Sequence, residues 1–241
     1  MIIKNFDVVI LCGGMGTRLR EETDVKPKPM VEIGGKPILW HIMKHYSRFG
    51  LNRFVLALGY KGEAVKKYFT EPHEERWDVV CVDTGPATLK GGRVKRLEPY
   101  IKSEQFHLTY GDGVSDIDLA ALAAFHEKSG KTGTVSAVRP PSRFGELLID
   151  GDTVREFEEK PQLTSGHING GYFIFERKFL DYLTPDEKCD LEFGALQKLA
   201  REGELAAFRH EGYWQCMDNL RDMEYLNKIW EGGNPPWKTW K

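Results

Sequence analysis

From Leu11 to Pro29 the chain reads LCGGMGTRLREETDVKPKP, an order of residue types that suits phosphate chemistry. Gly13, Gly14 and Gly16 follow an apolar run, so the backbone can turn sharply and bring N–H groups close to a ligand. Successive N–H groups in such a turn form a concave anion site, and Arg18 adds a planar fork matched to phosphate oxygens. The prolines of KPKP (Lys26–Pro29) hold this segment extended and block helix, so one lysine can point into the cradle while the other faces solvent. No G-K-[ST] closes the run and it is not G-x-G-x-x-G, so the P-loop and the dinucleotide fingerprint are both absent. A nicotinamide-dependent dehydrogenase is therefore excluded.

Phosphate clusters travel with Mg²⁺, a hard cation that takes one or two protein carboxylates and fills its other positions with water and phosphate oxygens. TYGDGV places Asp112 at a strand end between two glycines, where it reads equally as a ligand-facing carboxylate and as a turn-forming Asp-Gly. Asp218, in WQCMDNLRD, reads equally as a metal ligand and as the N-cap of the helix-like run after it. In FEEKP, Glu159 and Lys160 offer an acceptor for hydroxyls and a cation for a phosphate, although the pattern alone favours an exposed hairpin end. Asn169, in HINGGY, is an amide beside a close-approach turn. His41 and His45 have the i, i+4 spacing of metal ligands, but no third ligand accompanies them, and ordinary packing or surface histidines are the better reading.

These groups need a scaffold, and the apolar pattern describes one. DVVIL (Asp7–Leu11), RFVLALG, WDVVCVDTG and FHLTYGDG are short strand-like runs. PILWHIMKHYSRFG, KGEAVKKYF and DLAALAAFHEKSG alternate with them as amphipathic helices. This alternation predicts a mostly parallel α/β sheet with helices on both faces. After about Thr132 the texture becomes strand-rich (TVSAVRP, GELLIDGDTVREFEEKP, GGYFIFERKFL), then helical in LEFGALQKLAREGE, predicting a mixed continuation plus an antiparallel piece. In open α/β sheets ligands bind beyond the carboxyl ends of the strands, where both the glycine run and YGDG fall. The chain reads as one domain, 1–241, ending in an aromatic tail at 230–241 that cannot be a regular element. That tail packs on the domain or on a neighbouring subunit, and a homo-oligomer is expected.

Composition narrows the class. Lys plus Arg is 34 and Asp plus Glu is 36, a formal net charge of −2, which argues against a dedicated nucleic-acid partner. Cys12, Cys81, Cys189 and Cys216 are scattered without a C-x-x-C pair, as expected for reduced cytoplasmic thiols. Lys4 and Asp7 interrupt the N-terminal apolar run, so no secretory signal is predicted, and no segment approaches the ~20 apolar residues of a membrane helix. The expectation is a soluble, cytoplasmic protein with no membrane partner.

CGGMGTRLREETDVKPKPMVEIGGKPILWHIM, GYKG, VDTG, GGRVKR, TYGDGVSDIDL, RFGELLI, FEEKP, INGGYF, WQCMDNLRD and PPWKTW, in this order and over nearly the whole chain, resemble the sugar-1-phosphate nucleotidylyltransferases. The segment ETDVKPKPMVEIGGKPILWHIM and the PPWKTW ending are most similar to the glucose-1-phosphate cytidylyltransferase branch. The resemblance implies a Rossmann-like mixed α/β fold and the Mg²⁺-dependent conversion of CTP and α-D-glucose 1-phosphate to CDP-glucose and pyrophosphate. It also implies a place in bacterial dideoxysugar, O-antigen and lipopolysaccharide synthesis.

Carried over by position, Leu11, Cys12, Gly13, Gly14, Met15, Gly16, Thr17 and Arg18 would hold the nucleotide, with Thr88, Arg93 and Gly111 nearby. Arg18 and Lys28 would be catalytic, Lys28 lying between the reacting phosphates. Asp112 and Asp218 would share Mg²⁺, and Gly145, Glu159, Lys160 and Asn169 would face the sugar phosphate with Lys28. Nucleotide binding maps mainly to 1–131 and sugar-phosphate binding to 132–229. The chain departs from the family between KKYF and WDVVCVDTG, where TEPHEER replaces a longer insertion, leaving base preference and oligomeric state open. The same chemistry with dTTP, UTP or another sugar phosphate is one alternative. An inactive nucleotide-sensing subunit is another, though it need not keep Arg18, Lys28, Asp112 and Asp218 together.

Overall fold

A computed structural model of the chain describes residues 6–14, 26–71, 75–139, 146–150, 153–158 and 166–240, with backbone only at 146–150 and 156–158. Its centre is the first apolar run. Strand β1 (Asp7–Leu11) is buried on both faces, so its β-branched and apolar side chains form a continuous run rather than an alternation. Val8 and Ile10 pack on one face of the sheet, against Ile38, Leu39, Ile42 and Met43, while Val9 and Leu11 pack on the other, against Val94 and Leu191.

Two two-residue strands, β2 (Glu32–Ile33) and β3 (Lys36–Pro37), pair antiparallel before the first helix. Parallel strands β4 (Arg53–Leu58) and β5 (Asp78–Asp83) lie on one side of β1, and β6 (Gln105–Tyr110) lies parallel on the other. Short β7 (Gly113–Ser115) follows directly. Strand β8 (Gly133–Val138) is separated in space from β6 by β11 (Ile168–Glu176), which runs antiparallel to both, and β9 (Glu146–Asp150) and β10 (Thr153–Glu158) form a separate hairpin. Strand β12 (Leu205–His210) closes the sheet parallel to β8, and β13 (Trp214–Cys216) pairs antiparallel with β7. The main sheet has seven strands in the order β12-β8-β11-β6-β1-β4-β5. Chain order reverses between β1 and β6, whose carboxyl ends therefore open a crevice.

Helix α1 (Ile38–Arg48) begins where Pro37 ends the preceding turn, and buries Ile38, Leu39, Ile42, Met43 and Tyr46 at helical spacing. Helices α2 (Gly62–Thr70), α3 (Lys90–Arg96) and α4 (Leu119–Ser129) return the chain across the sheet, α4 starting at an Asp118 cap that accepts from Ala120 and Ala121. The run LEFGALQKLAREGE begins as one turn of π-helix, Leu191–Leu196, before α5 (Gln197–Arg201). Helix α6 (Leu220–Glu231) has a capping box between Asn219 and Asp222.

Two expectations are corrected. Trp230 belongs to the last turn of α6 and not to an irregular tail, because the capping box starts a helix whose apolar face continues through Leu226. KPKP is extended only at Pro27, after which Lys28–Met30 form a single 3-10 turn, a geometry that tolerates proline in its first positions. The tail beyond the helix packs on its own domain, with Trp237 only 1% exposed among His41, Tyr213 and Trp230. Among the described residues no helix is long and apolar enough to cross a membrane.

Candidate active site

The crevice between β1 and β6 holds a cavity of about 420 Å³, lined by Leu11, Cys12, Gly13 and Gly14 on one side and by Tyr110, Gly111 and Asp112 on the other. The remaining walls come from Lys28 and Pro29 and from the segment Pro86–Lys90 with Arg93. The Cys12 N–H donates to the Ala57 carbonyl (3.0 Å) and the Gly111 N–H to the Leu11 carbonyl (3.1 Å), so both strand ends are locked just where they turn away.

Lys28 enters this cavity, and its ammonium lies 2.7 Å from Asp112 Oδ2 and 2.7 Å from Asp218 Oδ1. Burial opposes the charge on Lys28. The charge and hydrogen bond of Asp112, with those of Asp218, outweigh it and hold the ammonium above the ordinary lysine range. The two aspartates lie 106 positions apart in sequence. The β7–β13 ladder joins them, Gly113 opposite Cys216, and the Met217 N–H donates to the Asp112 carbonyl at 2.8 Å. Asp218 is therefore not the N-cap, a position Asn219 takes; its carboxylate turns inward, with the Cys216 thiol donating to it at 3.3 Å. Burial first, then Asp218 and Asp112, push that thiol up to about 12, so Cys216 stays protonated at neutral pH. Lys26, two residues before Lys28, pairs instead with exposed Glu32 at 3.1 Å. One lysine points in and the other out, as the proline spacing predicts.

Arg93 is expected beside the nucleotide, and it does line the cavity, but its fork is committed to the protein. Its two terminal nitrogens donate to the Leu58 carbonyl (2.9 Å), the Thr84 hydroxyl (2.8 Å), the Gly13 carbonyl (3.1 Å) and the Pro86 carbonyl (3.2 Å). Burial pulls the guanidinium below its ordinary value, against the charge of Asp83. Arg93 thus pins together three turns at the cavity wall. A Cβ at position 13 would overlap its guanidinium, which is why this place in the glycine run takes only glycine. Thr88 is buried in the same wall, its hydroxyl accepting from Arg96 at 2.8 Å.

Leu11, Cys12, Gly13, Gly14, Lys28, Thr88, Arg93, Gly111 and Asp112 thus meet in one cavity, and Asp218 joins it through Lys28. Asn169 lies at the start of β11 and reaches the wall through the Tyr110 hydroxyl (3.0 Å). Met15, Gly16, Thr17, Arg18, Gly145, Glu159 and Lys160 lie outside the described residues. Sequence reasoning did not single out Pro86, Ala87, Leu89, Lys90 and Tyr110. The first four follow a strand end, where a loop in this fold class is placed to meet ligand, and Tyr110 directly precedes the GDG turn. His41 and His45 are ordinary packing residues, both buried and hydrogen-bonded to the carbonyls of Ile33 (2.8 Å) and Ile117 (3.0 Å).

A larger cleft, about 790 Å³, lies at the opposite, amino ends of the strands, lined by residues including Asp7, Arg53, Asp78 and Glu176. Arg53 there pairs with Asp7 (3.2 Å) and Asp78 (3.3 Å), so its charges answer one another. Size alone does not make it the reacting site; the convergent cation and carboxylates are at the carboxyl ends.

Residues 7–228 match the family model described as nucleotidyl transferase. The glucose-1-phosphate cytidylyltransferase of Salmonella typhi is 48% identical over 255 aligned positions, covering 97% of this chain and 99% of that protein. That alignment is longer than the 241-residue chain, so the relative carries residues this chain lacks. A probable glucose-1-phosphate cytidylyltransferase of Bacillus subtilis is 41% identical over 96% of this chain and 99% of its own. Among solved structures, HddC from Yersinia pseudotuberculosis complexed with GMP-PN superposes with a TM-score of 0.74 at 28% identity, over 94% of this chain and 100% of that one. The chain belongs to the nucleotidyl transferase family, in its glucose-1-phosphate cytidylyltransferase branch.

Proposed function

We propose that the protein transfers a cytidylyl group from CTP to α-D-glucose 1-phosphate, releasing pyrophosphate and forming CDP-glucose. The observation that carries this reading is the meeting of Lys28, Asp112 and Asp218 beside the Cys12–Gly14 turn, at the carboxyl ends of β1 and β6, in a chain 48% identical to a glucose-1-phosphate cytidylyltransferase.

The chemistry needs no general base. A sugar-phosphate oxygen is already anionic; it bonds to the α-phosphorus of the nucleotide as the bond to the β-phosphate breaks, and pyrophosphate leaves in line. The barrier lies in bringing two polyanions together and stabilising the charge at the transferred phosphoryl group, which positioning and cations supply. Lys28, held charged and aimed into the cavity by two aspartates, is placed for that stabilisation. Arg18 is assigned to the triphosphate. The backbone N–H groups of the glycine turn are assigned to the phosphates.

The donor set fits Mg²⁺. Asp112 and Asp218 present hard oxygen ligands within reach of one point, and among the described residues no group of three or more His, Cys, Asp or Glu could form an all-protein metal cage. Two carboxylates with substrate phosphates are what Mg²⁺ uses. Asp112 and Asp218 would hold the ion, whose chemistry is charge neutralisation of the phosphates. Gly145, Glu159, Lys160 and Asn169 are assigned to the sugar phosphate. A homo-oligomer belongs to the same reading and is tested by light scattering in solution.

Lys28→Ala tests the assignment. Removing a single preorganised cationic donor at a transferring phosphoryl group costs on the order of 10²–10³ in kcat. With CTP, α-D-glucose 1-phosphate and Mg²⁺, the variant should lose at least about 100-fold in kcat while its circular dichroism stays that of the parent. Turnover near the parent's would remove Lys28 from the chemistry.

A further inference from the structure

Where the nucleotide cavity meets β11, four polar side chains form a hydrogen-bond chain that converges on Glu192. Asn169 Oδ1 accepts from the Gly171 N–H (2.8 Å), which orients the amide, so Nδ2 donates to the Tyr110 hydroxyl (3.0 Å). The Tyr110 hydroxyl donates in turn to Glu192 Oε1 (2.8 Å), and the same oxygen receives the Lys90 ammonium, which also sits 4.9 Å from the centre of the Tyr110 ring. With a carboxylate oxygen as its partner, the Tyr110 phenol is the donor in that bond.

The ring is held as tightly as its hydroxyl. Phe173 meets it edge-on at 5.9 Å, and Gly171, at φ +78°, leaves room where a Cβ would come within 2.6 Å of Tyr110 Cδ2. Glu192 is delivered by the π-helical turn Leu191–Leu196, a rare geometry that recurs at functional sites. Lys90 and Tyr110 line the nucleotide cavity, whereas Asn169 stands on β11, on the sugar-phosphate side. With one N–H on Tyr110, the Asn169 amide has its second N–H to offer to a sugar hydroxyl or phosphate oxygen.

We propose that Tyr110 and Glu192 are positioning residues for the sugar phosphate, acting through Asn169. This rests on the cytidylyltransferase reading above. Glu192 Oε1 is the shared acceptor of Tyr110 and Lys90, so removing it leaves both donors without the partner that fixes them.

The test is a double-mutant cycle on KM with CTP, α-D-glucose 1-phosphate and Mg²⁺. Tyr110→Phe should raise KM for the sugar phosphate about 5- to 20-fold, with much smaller changes in KM for CTP and in kcat, and Glu192→Ala, which removes the acceptor, should move the same constant in the same direction. In an Asn169→Ala background, Tyr110→Phe should add less than about twofold. An unchanged sugar-phosphate KM in Tyr110→Phe overturns the inference. So do effects that multiply in the double variant, or a parallel rise of both KM values with a fall in melting temperature. Parent enzyme is assayed first: no turnover with this pair overturns the reading of the reaction and the inference with it, whereas turnover with indifferent variants overturns the inference alone.

Discussion

Two basic residues in one cavity do opposite things, and their hydrogen bonds say which does what. Lys28 places its ammonium between two carboxylates, facing open cavity, while Arg93 turns its fork into the wall and gives its terminal N–H groups to four protein oxygens. Charge alone would make them interchangeable; geometry does not. Arg93→Lys keeps the charge but replaces a planar fork with three donors on one atom, which cannot span acceptors on Gly13, Leu58, Thr84 and Pro86. Leaving one or two buried acceptors unmatched costs about 1–3 kcal/mol each, so the variant should unfold at clearly lower urea, with a raised KM for CTP. An unfolding midpoint equal to the parent's would show that the fork is not a brace.

The split between Lys26 and Lys28 was expected from the prolines, but it arises where the chain leaves extended Pro27 for the 3-10 turn that starts at Lys28. The partnership of Asp218 with Asp112 was legible only through the family resemblance. It depends on a three-residue ladder between segments a hundred positions apart, and local pattern carries no signal for such a pairing.

Helix α1 shows how an element ties the sheet to the chain's end. His41 donates to the Ile33 carbonyl through Nε2 and accepts from the Trp237 indole N–H (3.5 Å) through Nδ1. His45 donates to the Ile117 carbonyl and accepts from the Thr239 hydroxyl (3.0 Å). The His41 Nδ1 can accept only in the neutral ring, and burial favours the neutral form of both histidines. Burial first lowers both to about 4, and lowers His107 in β6 to about 3. An unfolded histidine titrates near 6.5, so between pH 6.5 and 4 the unfolded chain binds more protons than the folded one. Stability should be full above pH 6.5 and fall as pH drops through that window, by up to about 1.4 kcal/mol per pH unit for each group. Urea unfolding at pH 6.5 and 5.0 measures this, and His45→Gln should show a shallower pH slope than the parent. Equal stability at both values would contradict the neutral tautomers.

Strands β1, β4 and β6 were legible because buried parallel strands are short apolar runs stopped by turns. Helix α3 was not, since Gly91 and Gly92 lower its helical propensity and its four basic residues leave it no apolar stripe. Strand β12 also escaped, its Arg209 and His210 reading as polar surface because it is an edge strand.

At the scale of the molecule, the switch between β1 and β6 explains why residues from four separate stretches share one cavity. The α/β class and the location of the site at the strand ends were therefore readable from alternation alone. The packing of the tail was not: Trp237 and Trp240 stand among Gly and Pro residues with no periodicity, and their surface comes from the folded α1 together with Tyr213 and Trp230. The residues of this cavity converge on cytidylyl transfer to glucose 1-phosphate. Pyrophosphate release from α-D-glucose 1-phosphate and Mg²⁺ is to be measured with CTP, UTP, dTTP, ATP and GTP in separate reactions. Release with CTP is expected at a kcat/KM at least about 100-fold above the others, a margin of roughly 2.7 kcal/mol in transition-state stabilisation. Release led by another nucleotide would contradict the cytidylyl assignment, and no release with any of the five would contradict the reaction itself.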